Sequence, residues 1–124
     1  MKRILICGDR NWKDRSFIDI FIRNLPKDTV IIHGNCRGAD QIAGSIAKKY
    51  GLEVISFPAD WRKYGRKAGP IRNRQMIREG KPDLVVAFHN DLSKSKGTLN
   101  MILQANRSGI PILLLSNKLR GGDP

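Results

Sequence analysis

The sequence has few of the features that would assign it to a specialised class of protein. Its two cysteines, Cys7 and Cys36, are too few for a disulfide framework or a metal-ligand cluster, so we expect a reducing, cytoplasmic environment and no metal site. No apolar run approaches the roughly 20 residues that span a bilayer, and the first residues do not resemble a signal peptide. Acidic residues are also scarce, at 11 against 23 lysines and arginines.

The excess of basic residues gives a net charge of +12, which attracts molecules that carry phosphate. These charges are concentrated. The segment from Trp61 to Lys81 contains eight basic residues and a single acid, Glu79. One interpretation of each basic residue is a solvated surface position, but for the cluster as a whole we favour an anion-binding role.

The 124 residues are enough for one domain with a buried core. Short, nearly continuous apolar runs alternate with amphipathic segments, which is typical of a parallel sheet covered by helices on both faces. We therefore predict a single three-layer α/β/α domain at residues 1–117 and a flexible tail at 118–124. The predicted strands are Arg3–Cys7, Thr29–His33, Glu53–Phe57, Asp83–Phe88 and Pro111–Leu115.

Local signals predict where the helices begin and end. Pro70 suits the first turn of a helix. Polar residues that suit N-caps precede other helical segments: Asp14, Asp40 and Thr98. Glycines that suit left-handed C-caps follow helical segments: Gly51, Gly80 and Gly109.

The unusual residues lie in the loops that follow the predicted strands, and all these loops meet at the carboxyl edge of a parallel sheet. Ligands of such sheets bind at this edge, where the strand order reverses. The segment from Pro58 to Asn73 is the most unusual, and we predict a long functional loop there because long loops are rare in compact domains. The other loops contain GDRNW (8–12), GNCRGAD (34–40) and KGT (96–98).

These loops carry groups that suit the phosphates of a nucleotide. The glycines of Gly34-x-x-x-Gly38 and the Gly97-Thr98 pair allow backbone N–H groups to approach a phosphate beside a helix N-terminus, although simple turn geometry is an equal explanation. Neither segment matches the phosphate loop of nucleotide triphosphatases or the dinucleotide fingerprint. Arginines that suit forked contacts to phosphate are Arg37, Arg66 and Arg72.

Other side chains suit the base and the ribose. Trp61 and Tyr64 would stack on a base, or alternatively pack as a lid on the core. Asp9, Asp40 and Asp60 would accept hydrogen bonds from ribose hydroxyls or a base edge, with a helix-capping role favoured for Asp40.

Four motifs of the chain, in their order and spacing, resemble the YspA-like, cpYpsA-related branch of the SLOG superfamily. They are GDRNW, HGNCRGAD, FPADW with YGRKAGPIRNRQM, and GT. The resemblance extends from about Met1 to Leu115. It implies a Rossmann-like sheet that binds a nucleotide or nucleotide-derived ligand, such as an ADP-ribose relative, at the carboxyl ends of the strands. Relatives in the superfamily include the Lonely Guy phosphoribohydrolases, which cleave a base from a nucleoside monophosphate, and the DNA-processing protein of natural transformation.

The motifs and the resemblance together indicate a set of ligand-binding residues in the strand-to-helix loops. They are Gly8, Asp9, Arg10, Gly34, Arg37, Gly38, Ala39, Asp40, Asp60, Trp61, Tyr64, Arg66, Gly69, Arg72, Asn73, Gly97 and Thr98.

The catalytic half of the family's site is weakened in this sequence. The phosphoribohydrolase relatives carry PGGxGTxxE, whereas here the PGG is missing and Met101 occupies the place of the glutamate. Asn100 stands where an aspartate is expected in this branch. N-glycoside cleavage needs a nearby acid or base, and the candidates that remain for catalysis are Asp9 and Asp60, with Asp91 as a further carboxylate.

Three functions are compatible with these observations. The first is a module that senses or sequesters a nucleotide-derived small molecule, with no other cofactor. The second is a nucleotide-processing enzyme of the N-glycosidase or phosphoribohydrolase type. The third is a nucleic-acid binder that uses the basic loop. A homo-oligomer is compatible with each of them, and none requires a membrane.

Overall fold

A computed structural model of the chain describes residues 2–118. Five strands form one parallel sheet in the order β3-β2-β1-β4-β5. The strands are β1 (Arg3–Gly8), β2 (Val30–His33), β3 (Glu53–Ser56), β4 (Leu84–Phe88) and β5 (Ile112–Leu115). The helices are α1 (Arg15–Arg23), α2 (Ala39–Lys49), α3 (Trp61–Tyr64), α4 (Ala68–Gly80) and α5 (Lys96–Arg107), with 3-10 turns at Gly65–Lys67 and Leu92–Lys94.

The two faces of the sheet are covered by different helices. Successive side chains of a strand point to opposite faces, so Ile4 and Ile6 of β1 pack with α1 and α2, whereas Leu5 and Cys7 pack with α4 and α5. The predicted three-layer α/β/α fold with a five-stranded parallel sheet is thus confirmed. The strand order reverses between β1 and β4, which pair directly with each other.

The strand ends differ slightly from the prediction. Thr29, Phe57, Asp83 and Pro111 lie just outside the strands, whereas Gly8 lies inside β1. The Asp83 N–H donates to the Arg3 carbonyl at 2.7 Å, and the Phe57 N–H donates to the His33 carbonyl at 2.9 Å. Asp83 and Phe57 therefore each extend a strand by one backbone hydrogen bond to the neighbouring strand, although they lie outside its assigned ends.

The predicted N-caps are right at one of the three helices. The Asp14 carboxylate caps α1. At α5 the cap is Ser95, whose hydroxyl accepts from the Thr98 N–H at 3.2 Å, so Thr98 lies inside the helix. Asp40 lies in the first turn of α2, and its carboxylate accepts from the Gly34 N–H at 2.9 Å in the preceding loop. The prediction of Thr98 and Asp40 as caps was therefore wrong.

The C-caps follow the prediction at two glycines. Gly51 and Gly109 have left-handed backbones, with φ of 77° and 72°. Gly80 instead ends α4 inside the helix, and Lys81 adopts the left-handed conformation with φ of 48°. Gly80 is buried against Ile32, where a Cβ atom would lie 3.2 Å from the isoleucine side chain.

The segment from Pro58 to Asn73 is not the long loop that its composition predicts. Asp60 caps the short helix α3, a 3-10 turn follows, and α4 begins at Ala68. Gly65 lies at the junction with φ of 56°, and Pro70 lies in the first turn of α4, where its missing N–H costs no hydrogen bond. The glycine and proline breakers therefore separate helical turns and do not prevent them.

Only Lys118 of the predicted tail lies within the described residues, and the rest of that prediction falls outside them. No helix within residues 2–118 combines the length and the apolar character needed to cross a membrane.

Candidate functional site

A cleft of about 390 Å³ lies at the carboxyl edge of the sheet, between the loops that follow β1, β2 and β3. We call it the arginine cleft, because its charged lining residues are Arg10, Arg37 and Arg72. The other lining residues are Gly34, Asn35, Cys36, Pro58, Ala59 and Trp61. Since no aspartate or glutamate is among them, the electrostatic potential in the cleft favours an anion.

Arg72 is the central side chain of this site. It extends from α4 under the loop after β2 and is only 7% exposed. Its Nη1 donates to the Gly34 carbonyl at 2.5 Å, its Nε to the Asn73 Oδ1 at 3.0 Å, and its Nη2 to the Cys36 Sγ at 3.4 Å. A Cβ atom at Gly34 would collide with the guanidinium. A side chain at position 34 would therefore displace the Arg72 guanidinium from its place beneath the loop.

The guanidinium of Arg72 retains unused donors. Of its five N–H groups, three are engaged in these hydrogen bonds, which leaves one on each terminal nitrogen. Among the ion pairs of the described residues, none joins Arg72 to a carboxylate. A buried cation with two free donors in the lining of a cleft has the chemistry that suits an anion.

The Asp40 carboxylate fixes the loop after β2 through hydrogen bonds to its backbone. Its Oδ2 accepts from the Gly34 N–H at 2.9 Å and from the Cys36 N–H at 3.5 Å. Burial raises the pKa of Asp40 to about 6, against the opposing effects of the Gly34 hydrogen bond and the Arg72 charge. The carboxylate and the guanidinium together fix both polar groups of Gly34.

His33 supports the same loop from the end of β2. Its Nδ1 accepts from the Asn35 N–H at 2.9 Å, and Asn35 has a left-handed backbone with φ of 56°. Burial lowers the pKa of His33 to about 4, and the charges of Lys48 and Arg72 act in the same direction. His33 is therefore a neutral hydrogen-bond acceptor near neutral pH.

Gly38 brings the loops after β1 and β2 together. Its backbone has φ of 82°, and a Cβ atom there would collide with the Asp9 carbonyl. The Ala39 N–H donates to the same carbonyl at 3.1 Å, and the Asp9 carboxylate accepts from the Asn11 N–H at 2.9 Å. Gly38, Ala39 and Asp9 therefore form the support that places Arg10 beside Arg37, together with Gly8 at the end of β1.

The aromatic residues of α3 have different positions. Trp61 is 57% exposed and lines the cleft, whereas Tyr64 is 39% exposed, lies outside the lining and has the Lys63 ammonium 5.1 Å from its ring centroid. Neither ring belongs to the core. Gly69 lies beside Trp61, since a Cβ atom placed on the glycine would be 3.6 Å from the indole ring. Arg66 is exposed and does not line the cleft.

The start of α5 lies outside the lining of the arginine cleft. Thr98 is buried, and its hydroxyl accepts from Ser95 at 2.8 Å. Asn73 connects this region to α4, since its Nδ2 donates to the Gly97 carbonyl at 3.2 Å and to the Asn100 Oδ1 at 3.0 Å. The cleft therefore lies to one side of the point where the strand order reverses, and Gly97 and Thr98 do not line it.

Sequence reasoning missed four lining residues: Asn35, Cys36, Pro58 and Ala59. The signal for Asn35 is its position after a glycine, because asparagine tolerates the left-handed backbone found there. The other three have ordinary side chains, and only the packing of the loops places them beside Arg72.

The carboxylates considered for catalysis lie outside the lining of the arginine cleft. Asp60 caps α3 by accepting from the Lys63 N–H at 3.1 Å, and Asp91 accepts from the Ser93 N–H at 3.1 Å. Met101 lies on the buried face of α5, is 1% exposed and belongs to the hydrophobic core. Within the described residues no group of three or more His, Cys, Asp or Glu residues could hold a metal ion.

Comparisons with known proteins identify the family of this chain and structures that share its fold. Residues 2–64 match the model of the YspA, cpYpsA-related SLOG family. The Gene 61 protein of Mycobacterium phage D29 is 39% identical over 127 residues, which cover 95% of this chain and 99% of that protein.

Solved structures share the fold at lower identity. DNA processing protein A (DprA) of Streptococcus pneumoniae is 18% identical with a TM-score of 0.76, over 98% of this chain and 53% of that chain. The UDP-GlcNAc 2-epimerase of Neisseria meningitidis, solved with UDP-GlcNAc bound, is 13% identical with a TM-score of 0.54, over 99% of this chain and 34% of that chain. The chain thus spans about half of the first structure and a third of the second. The family model confirms the resemblance seen in the motifs over residues 2–64, about half of the chain, and the chain belongs to the YspA, cpYpsA-related SLOG family.

Proposed function

We propose that the chain binds a nucleotide or nucleotide-derived small molecule in the arginine cleft, as a sensor or sequestering module. The observation that carries this proposal is the convergence of Arg10, Arg37 and Arg72 with the exposed ring of Trp61 around one cleft without acidic residues. Its volume of about 390 Å³ lies within the range of roughly 300–1,000 Å³ that is typical of small-molecule sites.

Arg72 supplies the phosphate contact. A buried guanidinium is costly unless its charge and its donors are compensated. The Gly34 carbonyl, Asn73 and Cys36 take three donors, and two phosphate oxygens would take the remaining pair in a forked contact. Arg10 and Arg37 then neutralise the remaining phosphate charge from the other wall.

Trp61 supplies the contact to the base. The ring is 57% exposed and belongs to neither cluster of the hydrophobic core, so its free face is open to a ligand in the cleft. Stacking of a base on such a ring contributes roughly 1–3 kcal/mol. The fold neighbour with UDP-GlcNAc bound holds a nucleotide derivative, which is consistent with this class of ligand for the same architecture.

Binding is favoured over hydrolysis because no carboxylate lines the arginine cleft. The Asp9 carboxylate accepts a hydrogen bond within its own turn, and the Asp60 carboxylate caps α3. Met101 is buried where the phosphoribohydrolase relatives have a glutamate. The Asn100 amide is bonded to Asn73 and Gln104. These contacts give the residues around the site structural roles.

The test is a thermal-shift and calorimetry panel with AMP, ADP-ribose, NAD, UDP-GlcNAc and single-stranded dA12, with each bound nucleotide recovered by chromatography. A nucleotide at 100 times its Kd adds about 2.7 kcal/mol of stability. We expect Trp61→Ala and Arg37→Ala to weaken binding by about tenfold each, since 1.4 kcal/mol is tenfold in affinity. Arg74→Ala, which removes an exposed charge of α4 away from the cleft, is the matched control.

The outcomes separate the three functions. A nucleotide that binds and is recovered intact supports a sensor or sequestering module. Release of a base or a ribose phosphate would instead establish an enzyme. Binding of dA12 alone, with an affinity that falls steeply with salt, would establish a nucleic-acid binder and overturn the proposal.

A further inference from the structure

A second cleft, of about 400 Å³, lies beside the arginine cleft on the side of α1 and α2. Arg10 and Arg37 line both clefts, so they form a ridge between them. Lys13 and Arg15 add two positive charges to the second cleft, and no aspartate or glutamate is part of its lining. The positive lining therefore continues from Arg72 across the ridge to Arg15.

The lining of the second cleft also suits a nucleoside. Trp12 is among the lining residues, and its buried indole donates its N–H to the Asp14 carbonyl at 2.9 Å, so it offers the cleft no free donor. Ile42 adds apolar surface, and the amides of Asn11 and Gln41 add donors and acceptors. Apolar surface with a few polar groups is the usual composition of a small-molecule site.

The ridge itself has backbone donors for a phosphate. The N–H groups of Asn35, Cys36 and Ala39 are engaged by His33, Asp40 and Asp9 respectively. Among the residues that the structure describes, the N–H groups of Arg37 and Gly38 have no such protein acceptor. Successive backbone N–H groups in a turn form an anion-binding concavity, and here they lie between the two clefts.

We infer that the ligand is a dinucleotide, in which phosphate joins two nucleoside units. This inference rests on the proposed function. The first unit stacks on Trp61 in the arginine cleft, the linking phosphate lies on the ridge of Arg10 and Arg37, and the second unit enters the second cleft beside Lys13 and Arg15. A mononucleotide fills one cleft and leaves the cations of the other without an anion.

The experiment measures Kd by calorimetry for AMP, NAD, the linear dinucleotide pApA and dA12. The wild-type protein is compared with Lys13→Ala/Arg15→Ala and with the control Arg74→Ala/Arg78→Ala, which removes the same charge from the exposed side of α4. Lys13 and Arg15 are both exposed, and Arg15 is a cation at the N-terminal end of α1, so its removal does not threaten the fold.

We expect NAD or pApA to bind the wild-type protein at least about tenfold more tightly than AMP, since each added contact to a phosphate or base multiplies the affinity. The Lys13→Ala/Arg15→Ala variant loses this advantage and keeps its affinity for AMP within about twofold, whereas the control variant matches the wild type. Preference for NAD identifies a pyrophosphate link, and preference for pApA identifies a phosphodiester link.

Three results overturn the inference. In the first, AMP binds as tightly as both dinucleotides. In the second, the Lys13→Ala/Arg15→Ala variant loses AMP and dinucleotide binding equally, which would be a general effect of charge. In the third, dA12 binds more tightly than pApA by clearly more than the about tenfold advantage that its overlapping dinucleotide steps give, which would indicate a longer strand. If AMP binding depends on Trp61 in the first case, the proposed function stands and only the dinucleotide fails; if no nucleotide binds, both fail.

Discussion

Two buried titratable side chains, Asp40 and His33, hold the loop after β2, and their effects on stability run in opposite directions with pH. Asp40 has its pKa raised by burial to about 6 from the ordinary 3.8. The stability it contributes is complete below pH 3.8 and is lost as the pH rises through 6. His33 has its pKa lowered by burial to about 4 from the ordinary 6.5. Its contribution is complete above pH 6.5 and is lost as the pH falls through 4.

These shifts nearly cancel in the wild-type protein. Between pH 8 and pH 4.5, proton linkage gives a loss of about 2.5 kcal/mol from His33 and a gain of about 2 kcal/mol from Asp40. The two contributions are of similar size and opposite sign, so they largely offset each other. The lowered pKa values of Asp14 and Asp91, caused first by side-chain hydrogen bonds from Asn117 and Ser93, add an acid loss that is common to all variants.

Single substitutions separate the two effects. Asp40→Asn keeps an oxygen to accept from the Gly34 N–H but removes the gain in acid, so the variant loses about 2 kcal/mol more than the wild type between pH 8 and pH 4.5. His33→Asn keeps an acceptor for the Asn35 N–H and removes the loss in acid, so it gains about 2.5 kcal/mol relative to the wild type.

The measurement is urea denaturation, followed by circular dichroism, at pH 4.5, 5.5, 6.5 and 8 and constant ionic strength. The double variant Asp40→Asn/His33→Asn is the control and is expected to lie between the two single variants, because it lacks both the loss from His33 and the gain from Asp40. Parallel profiles for Asp40→Asn and the wild type would refute the reasoning, because they would mean that Asp40 titrates alike in the folded and unfolded chains.

Two further predictions concern buried side chains. Met101→Glu would place a carboxylate in the core, so we expect the free energy of unfolding to fall by about 3 kcal/mol or more and the Tm, measured by calorimetry, to fall by about 10 °C. We expect no gain of hydrolytic activity. An unchanged Tm would contradict the burial of Met101. Burial raises the pKa of the Cys7 thiol, whereas Cys36 is partly exposed beside Arg72. A thiol-reactive dye should therefore label one cysteine of the native protein rapidly and none in Cys36→Ser, and equal labelling of both cysteines would be inconsistent with the fold.

Much of the architecture is readable from the sequence because buried parallel strands are short, nearly continuous apolar runs. Each predicted strand is present, and only its ends shift. The prediction failed in the segment from Pro58 to Asn73, where glycine and proline suggested a loop. Those residues lie at the junctions of α3, the 3-10 turn and α4, and such placement is invisible to composition.

At the site, too, the sequence predicted some of the lining residues and not others. Arg37, Trp61 and Arg72 were identified from their residue types and all line the cleft, but Gly97 and Thr98 do not. The Gly97 carbonyl is bonded to Asn73, a contact between residues 24 positions apart that no local pattern contains.

The sequence by itself determined the strands, the alternation of strand and helix, the excess of positive charge and the family, since each depends on residue types and their order along the chain. Only the tertiary structure decided which of these residues meet. Asp40 became the support of the Gly34 loop because the fold buries its carboxylate beneath two backbone N–H groups. Arg72 became the base of a cleft because α4 packs beneath a loop 38 residues earlier in the chain. Contacts at such separations are set by the packing of helices on the sheet, and this packing is what turns scattered cations into a site.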